Sequence, residues 1–427
     1  MKYLSTQPLK GFRDFTPEDW SIQKYMFSVC EKVAIKYNFK EYSGPILEDI
    51  SIYNKSGGDI GSLGKDLYAF TDRGDRTIAL RPEMTPTVGR MVAAYSKNYP
   101  KPLKWFSIAQ FFRSENPQKG RGREFYQLNA DIFGEDSILA DYEVLSLTVD
   151  ILKAFGATKD MFKVRINNRA FMNYFFKESL KINDNESIVQ IIRLIDAKDK
   201  NSAEWFKTGC EKFLDEDQFG KLLELLSGGT KFLSNLPSKE LNSDVLRFVE
   251  LLDTLKNTGL NEYCEFDPKI ARGFDYYTGM VFEVFDTNEK NTRSLYGGGR
   301  YDDLTSLFGS EKIPAVGFAI GDMTLRLFLE GWDLLPKGNN DQALIYLPIL
   351  IEDKTYFNVY KKIADELRSS GNIVQMGLKF ENIAKAMTYS YKCGASKMII
   401  LGEQELKNSE YKIKDLVSKE EVIVKLV

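Results

Sequence analysis

The sequence predicts an α+β protein with a large β-rich domain and a small α/β domain at the carboxyl end. The chain of 427 residues is too long for one ordinary domain, so two or three are expected. Strand-like and helix-like segments alternate strictly only near the carboxyl end, whereas the rest carries β-like runs on both sides of a helical block. We therefore expect domains at 1–330 and 342–427, joined by a linker at 331–341.

The carboxyl-terminal domain is predicted from a β-α-β-α-β order. The runs ALIYLPIL, NIVQMGL and SKMIILGE are predicted strands, and the amphipathic segments between them are predicted helices. Such alternation within fewer than about a hundred residues indicates a largely parallel sheet with helices packed on it. The preceding segment GWDLLPKGNND contains Pro336 and Gly338, which is typical of a linker.

The first 330 residues mix helical and β-like patterns. SIQKYMFSVCEKVAIKYNF has the spacing of an amphipathic helix, and LKWFSIAQFFRSE and REFYQLNADIFG are predicted strands around a polar loop. From about 170 to 258 the pattern is helical, with Ile188, Ile191 and Ile195 at helical spacing. Because β character returns at 265–328, one domain with a helical insertion is more economical than three domains.

The composition excludes several classes of chemistry. The chain contains no histidine, so no imidazole can act as general base or metal ligand, and Ser-His-Asp and Cys-His catalysis are ruled out. Its four cysteines form no CxxC, which favours buried free thiols over a disulfide framework or a zinc cluster. Chemistry must then come from carboxylates, guanidinium groups, Lys, Tyr, backbone amides and bound metal.

Charge and hydropathy restrict the partners. Fifty-eight Lys and Arg against 61 Asp and Glu give a net charge of −3, which excludes a globally basic nucleic-acid coat but leaves room for a local basic site. No uncharged apolar run approaches the length that spans a bilayer, so no membrane partner is expected. The start MKYLSTQPLKGF lacks the apolar core of a signal peptide, and we expect a cytoplasmic location.

A basic loop between two predicted strands is the first candidate site. The loop RSENPQKGRGR at 113–123 carries four basic residues, among them Arg113 and Arg121, against the carboxylate of Glu115. Guanidinium groups present a planar fork of donors to phosphate oxygens. The loop therefore suits a polyphosphate ligand.

The strand that follows this loop has two different faces. Its period of two puts Phe125, Gln127, Asn129 and Asp131 on one face and a run of apolar residues on the other. The polar face is either a ligand-binding surface or the solvated outer face of a sheet, and the segment alone does not decide between them.

Three further segments carry candidate residues. In ALRPEMTPTVGR, Glu83 and Thr85 could receive an ammonium group, or they could lie in a solvated turn. In IARGFDYYTGMVFEVF, Arg272 could present a cation beside a pocket formed by Tyr276 and Tyr277, although such aromatic pairs usually belong to a core. The glycines of SLYGGGRYDDL fit either a close approach to a ligand or a flexible turn.

Jointly and in this order, these segments resemble the histidyl-tRNA synthetases, a family of class II aminoacyl-tRNA synthetases, over nearly the whole chain. KGFRDFTP resembles the family's opening, FKEYSGPILEDISIYNKSGG resembles motif 1, the dimer-forming element, and FFRSENPQKGRGREFYQLNADIFG resembles motif 2. Motif 2 is specific only to the class, whereas RGFDYYTG with YGGGRYDDL narrows the resemblance to the histidine enzymes. VGFAIGD lies where motif 3 is expected, and the carboxyl-terminal domain is similar to the anticodon-binding domain of that subgroup.

The resemblance implies an antiparallel class II sheet flanked by helices, a helical insertion and a homodimer. It implies that L-histidine and ATP, with Mg²⁺, give histidyl-adenylate and pyrophosphate, and that the histidyl group then passes to the terminal adenosine of tRNA(His). The substrate carboxylate attacks the α-phosphorus directly, so the reaction needs no protein nucleophile. Such chemistry is compatible with a chain that lacks histidine.

The resemblance also implies which side chains bind the amino acid. Those expected to do so are Glu83, Thr85, Gln127, Asp131, Tyr276 and Tyr277. The first three would hold the α-amino group, Asp131 and Tyr277 would read the imidazole, and Tyr276 would line the same pocket.

A second set is implied for the phosphates. Arg113 and Arg272 would contact the α-phosphate and the substrate carboxylate, and Glu115 and Arg121 would help to hold ATP. The number of metal ions and their ligands do not follow from the sequence.

Two departures from the family pattern concern motifs 2 and 3. The family usually places an arginine three residues after the glycine matching Gly321, and this chain has Thr324 there. Either Arg326 substitutes for it through a local shift, or ATP is held differently. Motif 2 also often carries histidines where this chain has Ser114 and Tyr126.

Two other functions are compatible with parts of this pattern. A non-catalytic paralogue, such as the regulatory subunit of the first histidine-biosynthesis enzyme, shares the catalytic fold but generally lacks the anticodon module; only Thr324 favours it. An adenylating enzyme with a small acceptor is disfavoured by the carboxyl-terminal module. The synthetase hypothesis requires one pocket that unites Arg113 and Arg272 with Glu83 and Asp131.

Overall fold

The chain divides into two units, Met1–Pro336 and Lys337–Val427. The computed structural model describes residues 4–55, 66–198, 201–229, 232–233, 242–270, 277–291, 293–336 and 344–426. Of the linker predicted at 331–341, residues 337–341 lie outside this described part. Within the described residues, every helix is too short or too polar to cross a bilayer.

The strands of the first unit form an eight-stranded and a three-stranded sheet. They are β1 (Lys40–Glu41), β2 (Leu47–Asp49), β3 (Ala69–Thr71), β4 (Thr77–Leu80), β5 (Leu103–Phe112), β6 (Glu124–Phe133), β7 (Phe162–Asn168), β8 (Cys264–Phe266), β9 (Met280–Asp286), β10 (Ser294–Arg300) and β11 (Ala315–Gly321). The large sheet has the order β1-β5-β6-β11-β10-β9-β7-β8, and the small one β2-β4-β3. Only the outer pairs β1–β5 and β7–β8 of the large sheet are parallel, so the expected antiparallel sheet is confirmed.

Helices flank the large sheet, and the described residues between β7 and β8 are mainly helical. The helices of the first unit are α1 (Pro17–Lys36), α2 (Ser51–Lys55), α3 (Thr85–Tyr95), α4 (Ile138–Ala154), α5 (Arg169–Tyr174), α6 (Asn185–Ala197), α7 (Ala203–Cys210), α8 (Glu216–Gly228), α9 (Ser243–Asn257) and α10 (Asp322–Gly331). Helix α6 buries Ile188, Ile191 and Ile195, as their spacing predicts. Asp184 accepts hydrogen bonds from the backbone amides of the first turn of α6 and so begins that helix.

The apolar face of β6 lies in the main core. Leu128, Ala130 and Ile132 are buried there with residues of α1 and α4, such as Ala34 and Val144. Because successive side chains of a strand point to opposite faces, Gln127, Asn129 and Asp131 are directed to the other side of the sheet. Alternate residues of β6 therefore pack in the core, and the residues between them face the candidate site.

The second unit has a five-stranded sheet in the order β13-β12-β14-β15-β16. Its strands are β12 (Leu344–Ile349), β13 (Ile373–Phe380), β14 (Lys397–Ile400), β15 (Glu410–Asp415) and β16 (Glu421–Lys425), and its helices are α11 (Phe357–Ser369), α12 (Ile383–Lys392) and α13 (Glu403–Lys407). The three predicted strands pair in parallel, and the last two extend the sheet in antiparallel fashion. The predicted alternation of strands and helices is thus confirmed.

A buried carboxylate joins distant segments of the first unit. Asp322, at the start of α10, accepts hydrogen bonds from Arg13 Nη2 at 2.7 Å, Gln23 Nε2 at 3.0 Å and the backbone amide of Tyr126 at 3.0 Å. Its side chain is 2% exposed. Because a buried charge is stable only when it is paired and hydrogen-bonded, this contact holds the amino-terminal segment, α1 and β6 against α10.

We expect Asp322→Ala to destabilise the first unit by about 3 kcal/mol, because it leaves three donors without their acceptor in a largely buried site. Urea unfolding followed by intrinsic fluorescence measures the change. The control is Lys221→Ala, which removes an exposed ion pair with Asp217 and should leave the unfolding midpoint unchanged. Equal midpoints for the two variants would contradict the role given to Asp322.

Candidate active site

The polar face of β6 borders a trough whose floor has almost no side chains. Gln127, Asn129 and Asp131 stand opposite three small residues of β11, and two of these, Ala319 and Gly317, stand in turn opposite glycines of β10. The floor residues are Gly317, Ala319, Gly321, Gly297 and Gly299. Residues directly opposite in an antiparallel pair share a face of the sheet, so all of these lie on the side of Gln127 and Asp131.

The three consecutive glycines lie inside β10, and the flexible turn considered above is wrong. A Cβ at Gly298 would lie 2.2 Å from the carbonyl oxygen of Gly317, and one at Gly299 would lie 2.8 Å from the ring of Tyr277. A Cβ at Gly317 would lie 2.0 Å from Asp131 Oδ1. Real Cβ atoms do not approach so closely, so these positions exclude any side chain.

A cavity of about 1110 Å³ lies over this floor. Its walls include Arg113 and Gln127 on one side and Arg165 and Glu283 on the other. Most of the basic loop 113–123 also borders the cavity. The volume is sufficient for a nucleotide and an amino acid together, since small-molecule sites span about 300–1,000 Å³.

Next to the cavity lies a group of buried polar side chains. The pKa of Tyr277 is raised, first by burial and then by the carboxylates of Glu83, Asp131 and Glu283. These carboxylates come from three separate parts of the chain and all act on one phenol. The structure therefore brings Glu83, Asp131 and Tyr277 together, and Glu283 joins this group to the cavity wall.

Asp131 is a buried carboxylate of this group with a raised pKa. Its side chain is buried, and burial raises its pKa from 3.8 to about 7, although the hydrogen bond that the Tyr301 hydroxyl donates to Oδ1 acts in the opposite direction. Asn129 is also buried, at 3% exposed. The polar face of β6 is therefore not the solvated outer face of a sheet, because other parts of the first unit cover it.

Hydrogen bonds to backbone carbonyls hold the loop that carries Glu83. Arg81 is buried and donates from Nε to the carbonyl of Gln110 at 2.9 Å, while Arg113 donates from Nε to the carbonyl of Pro82 at 3.0 Å. The two guanidinium groups thus fix the segment before α3 against the end of β5. Arg113 consequently lies beside Glu83, at the mouth of the polar group.

Glu83 and Thr85 lie at this end of α3. Burial raises the pKa of Glu83, and the nearby guanidinium of Arg113 partly opposes this shift. Both residues are partly buried, so the solvated turn considered above is not what the structure shows. A partly buried carboxylate, with a threonine hydroxyl two residues further along the chain, can receive an ammonium ion, whose positive charge would balance the negative charge of Glu83.

The basic loop folds as a tight hairpin. The backbones of Gln118 and Arg121 exchange two hydrogen bonds at 3.0 and 2.9 Å. Arg121 Nη1 forms an ion pair with Glu115 Oε2 at 3.0 Å, and Arg123 donates to the carbonyl of Glu115. Glu115 thus holds the two strands of the hairpin, while Lys119 at its tip borders the cavity.

Position 324 and Arg326 differ in their relation to the cavity. Thr324 lines it and donates from Oγ1 to the carbonyl of Leu295 at 2.6 Å. Arg326 forms ion pairs with Asp19 at 3.0 Å and Glu330 at 2.8 Å, and it is not among the described residues that line the cavity. Its charge is therefore already balanced outside the site.

Arg272 and Tyr276, two of the predicted site residues, lie outside the described residues. Three others that sequence reasoning missed are Glu283, Tyr301 and Arg293. Glu283 left a signal, because it is the one charged residue in the otherwise apolar run MVFEVF at 280–285. Tyr301 and Arg293 left none, since their contacts are with residues far away in the sequence.

A broad antiparallel sheet with a polar trough, followed by a separate α/β unit, fits the class II aminoacyl-tRNA synthetases that carry a carboxyl-terminal anticodon-binding domain. The family model for histidyl-tRNA synthetase matches residues 11–325, and the model for an anticodon binding domain matches residues 336–427. The chain belongs to the histidyl-tRNA synthetase family.

Individual relatives agree with this assignment. The histidine–tRNA ligase of Leptospira biflexa is 39% identical over 97% of this chain and 94% of its own length, and that of Pyrococcus horikoshii is 35% identical over 98% and 96%. The crystal structure of histidyl-tRNA synthetase from Nostoc sp. PCC 7120 has a TM-score of 0.81 at 24% identity, covering 99% of this chain and 97% of that one. At this identity the structural likeness shows the fold.

We expect Asp131→Asn to stabilise the protein at pH 8 while leaving its stability near pH 4 unchanged. The native carboxyl has a pKa of about 7 against 3.8 before folding, so the native state holds its proton more tightly and stability falls as pH rises between these values. The substitution removes this penalty, which is at most about 4 kcal/mol.

Urea unfolding at a series of pH values measures this difference. The matched control Asp253→Asn, at an exposed position of α9, should show a difference from wild type that does not vary with pH. A pH-independent difference for Asp131→Asn as well would contradict a buried, titrating carboxyl.

Proposed function

We propose that this chain activates L-histidine with ATP to form histidyl-adenylate and then transfers the histidyl group to the 3′ end of tRNA(His). The observation that carries the proposal is the juxtaposition of two carboxylates, Glu83 and Asp131, with Tyr277 beside a large cavity bordered by Arg113 and the basic loop. Membership in the histidyl-tRNA synthetase family supports it.

The polar group has two ends that suit the two ends of histidine. We assign the α-ammonium group to Glu83, Thr85 and Gln127, because a buried carboxylate and two neutral acceptors can balance one positive charge. We assign the imidazole to Asp131 and Tyr277. Asp131 accepts from an imidazole N–H, and a ligand without that donor would leave the buried carboxylate with an unsatisfied acceptor.

The phosphate chemistry is assigned to guanidinium groups. Arg113 lies between Glu83 and the cavity, where the substrate carboxylate and the α-phosphate would meet. Its guanidinium would align them and stabilise the negative charge that develops at phosphorus as the carboxylate attacks. The sequence motif that contains Arg272 and Tyr276 supplies the two remaining assignments. Arg272 would contact the α-phosphate and the substrate carboxylate, and Tyr276 would line the imidazole pocket.

ATP would lie along the cavity, over the glycine floor and under the basic loop. Glu115 and Arg121 form the base of that loop, and we assign them to the support of ATP. The sequence prediction of Arg326 as a further ATP ligand stays a prediction, and its ion pairs with Asp19 and Glu330 count against it.

The side chains around the cavity fit an Mg²⁺ ion that would be held mainly by the phosphate oxygens of the nucleotide. Among the described residues, no three acidic side chains cluster as a metal site. Mg²⁺ in nucleotide sites is usually held by phosphate oxygens with one or two carboxylates. Glu283 on the cavity wall is the carboxylate we assign, and the ion would neutralise phosphate charge there.

We also propose the remaining assignments for the chain. Residues 1–330 form the catalytic domain, with the helical insertion at about 170–258, and residues 342–427 form the anticodon-binding domain after a linker at 331–341. The match of the anticodon-binding model to residues 336–427 supports tRNA as partner. A cytoplasmic location stays a prediction from the sequence.

A homodimer is proposed from an uncovered apolar face of the small sheet. Leu47, Leu80, Ile78 and Phe70 share one face by the register of β2, β3 and β4, with Asp49 on the same face at the end of β2. Leu47 is 43% and Phe70 49% exposed, although such residues are stabilised by burial. The face belongs to the segment that resembles motif 1, and a second copy of the chain is the proposed partner.

Histidine-dependent exchange between ATP and pyrophosphate, followed by charging of tRNA(His), tests the proposed function. We expect Glu83→Gln to raise the KM for histidine about tenfold or more, because a charged hydrogen bond to the ammonium group is lost, and to leave the KM for ATP almost unchanged. The matched control Glu224→Gln, at an exposed position of α8, should behave like wild type.

Absence of histidine-dependent exchange in the wild-type protein would refute the synthetase activity and favour a regulatory paralogue. Exchange without charging of tRNA would instead favour an adenylating enzyme with another acceptor. Normal histidine kinetics in Glu83→Gln would remove Glu83 from the amino-acid site.

We expect Leu47→Glu to convert the dimer to a monomer, because it places a charge in an apolar interface. Light scattering after size exclusion gives the mass. Leu246→Glu is the matched control, since Leu246 on α9 is 44% exposed and lies in another part of the unit. A wild-type monomer, or a Leu47→Glu dimer, would contradict the proposed interface.

A further inference from the structure

An arginine immediately before β10, Arg293, borders the cavity beside the basic loop. It is exposed and is one of the lining residues, together with Lys119 at the tip of the hairpin. Arg293 Nη2 donates to Gln118 Oε1 at 2.5 Å. The guanidinium therefore lies between β10 and the loop, at the edge of the space assigned to ATP.

The charge of Arg293 is not balanced by a carboxylate within the described residues. By contrast, Arg121 is paired with Glu115 at 3.0 Å, and Arg165 lies 3.5 Å from Asp267. The recorded partner of Arg293 is a neutral amide oxygen, which accepts one hydrogen bond but supplies no negative charge. A cation in this state at a cavity wall can bind an anion without first breaking an ion pair.

Position 324 on α10, which lies near Arg293, carries an uncharged side chain. Thr324 lines the same cavity, and its hydroxyl donates to the carbonyl of Leu295, two residues after Arg293. The tip of the hairpin also reaches this corner, because a Cβ at Gly120 would lie 3.4 Å from Thr324 Cγ2. Strand β10, helix α10 and the loop thus meet here, and Arg293 is the cation that the residue preceding β10 contributes.

We propose that Arg293 is a nucleotide-binding residue that contacts the β- and γ-phosphates of ATP. This inference rests on the proposed function, since ATP is the ligand that the function requires. A guanidinium carries five N–H donors, and the contact with Gln118 uses one of them. Gln118 then orients the planar group, and the remaining donors are directed to phosphate oxygens.

A purely structural role makes a different prediction. If Arg293 only fastened the hairpin through Gln118, removal of either partner would have the same effect, and every nucleotide would be weakened alike. If Arg293 binds the terminal phosphates, its removal affects ATP more than AMP, and removal of Gln118 has a smaller effect because the cation remains.

The experiment compares Arg293→Ala, Arg293→Lys and Gln118→Ala in the full-length chain. Binding of ATP and of AMP is measured by calorimetry, and the KM for ATP and for histidine by pyrophosphate exchange. We expect Arg293→Ala to weaken ATP binding and raise the KM for ATP about tenfold or more, as loss of a charged hydrogen bond does. Affinity for AMP and the KM for histidine should change less than about twofold, and Arg293→Lys should restore part of the loss because it keeps the charge.

The matched control is Arg193→Ala, an exposed arginine of α6 that does not line the cavity, and it should bind ATP as wild type does. Equal ATP affinity in Arg293→Ala and wild type would overturn the inference. So would equal losses in Arg293→Ala and Gln118→Ala with AMP weakened to the same extent. ATP binding without histidine-dependent exchange in the wild-type protein would refute the proposed function while leaving the role of Arg293 intact.

Discussion

The close approach of β6, β11 and β10 is the constraint on which the candidate site depends. Gly317 has no room for a side chain because Asp131 Oδ1 occupies the place of its Cβ. A buried carboxylate is costly unless it is hydrogen-bonded, and within the described residues the Tyr301 hydroxyl is the recorded donor to Asp131. The unfilled acceptor capacity of Asp131 is what a ligand with an N–H group can satisfy, so binding and discrimination share one physical origin.

Strand β6 packs in the core with one face and borders the candidate site with the other. Leu128, Ala130 and Ile132 bury apolar surface against helices, while Gln127 and Asp131 project into a trough that contributes little burial. Asp322, on the adjoining helix α10, shows the contrast, because its carboxylate receives three donors and holds distant segments together. Asp322 stabilises the unit through its three donors, whereas the donor described for Asp131 is the Tyr301 hydroxyl, which leaves acceptor capacity that a ligand can use.

In a chain without histidine, the pairing of each arginine determines what it can do. Arg326 is balanced by Asp19 and Glu330, and Arg121 by Glu115, so both act on structure first. Arg113 donates to a backbone carbonyl and lies beside a carboxyl whose pKa is raised by burial. A guanidinium group at the wall of a cavity is suited to phosphate when no carboxylate is paired with it. A guanidinium group in an ion pair must first lose its carboxylate partner before it can bind phosphate.

The sequence by itself determined the two-faced pattern of β6, the helical block around Ile188, the alternation at the carboxyl end and the exclusion of imidazole chemistry, because each depends on composition or short-range periodicity. Only the tertiary structure decided that the polar face is buried, that the three glycines lie in a strand, and that Arg326 is paired whereas Arg293 faces the cavity. The physical reason is that burial, strand spacing and ion pairing are set by residues far apart in the chain. Asp131 meets Tyr301, and Arg326 meets Asp19, only after distant strands and helices have packed.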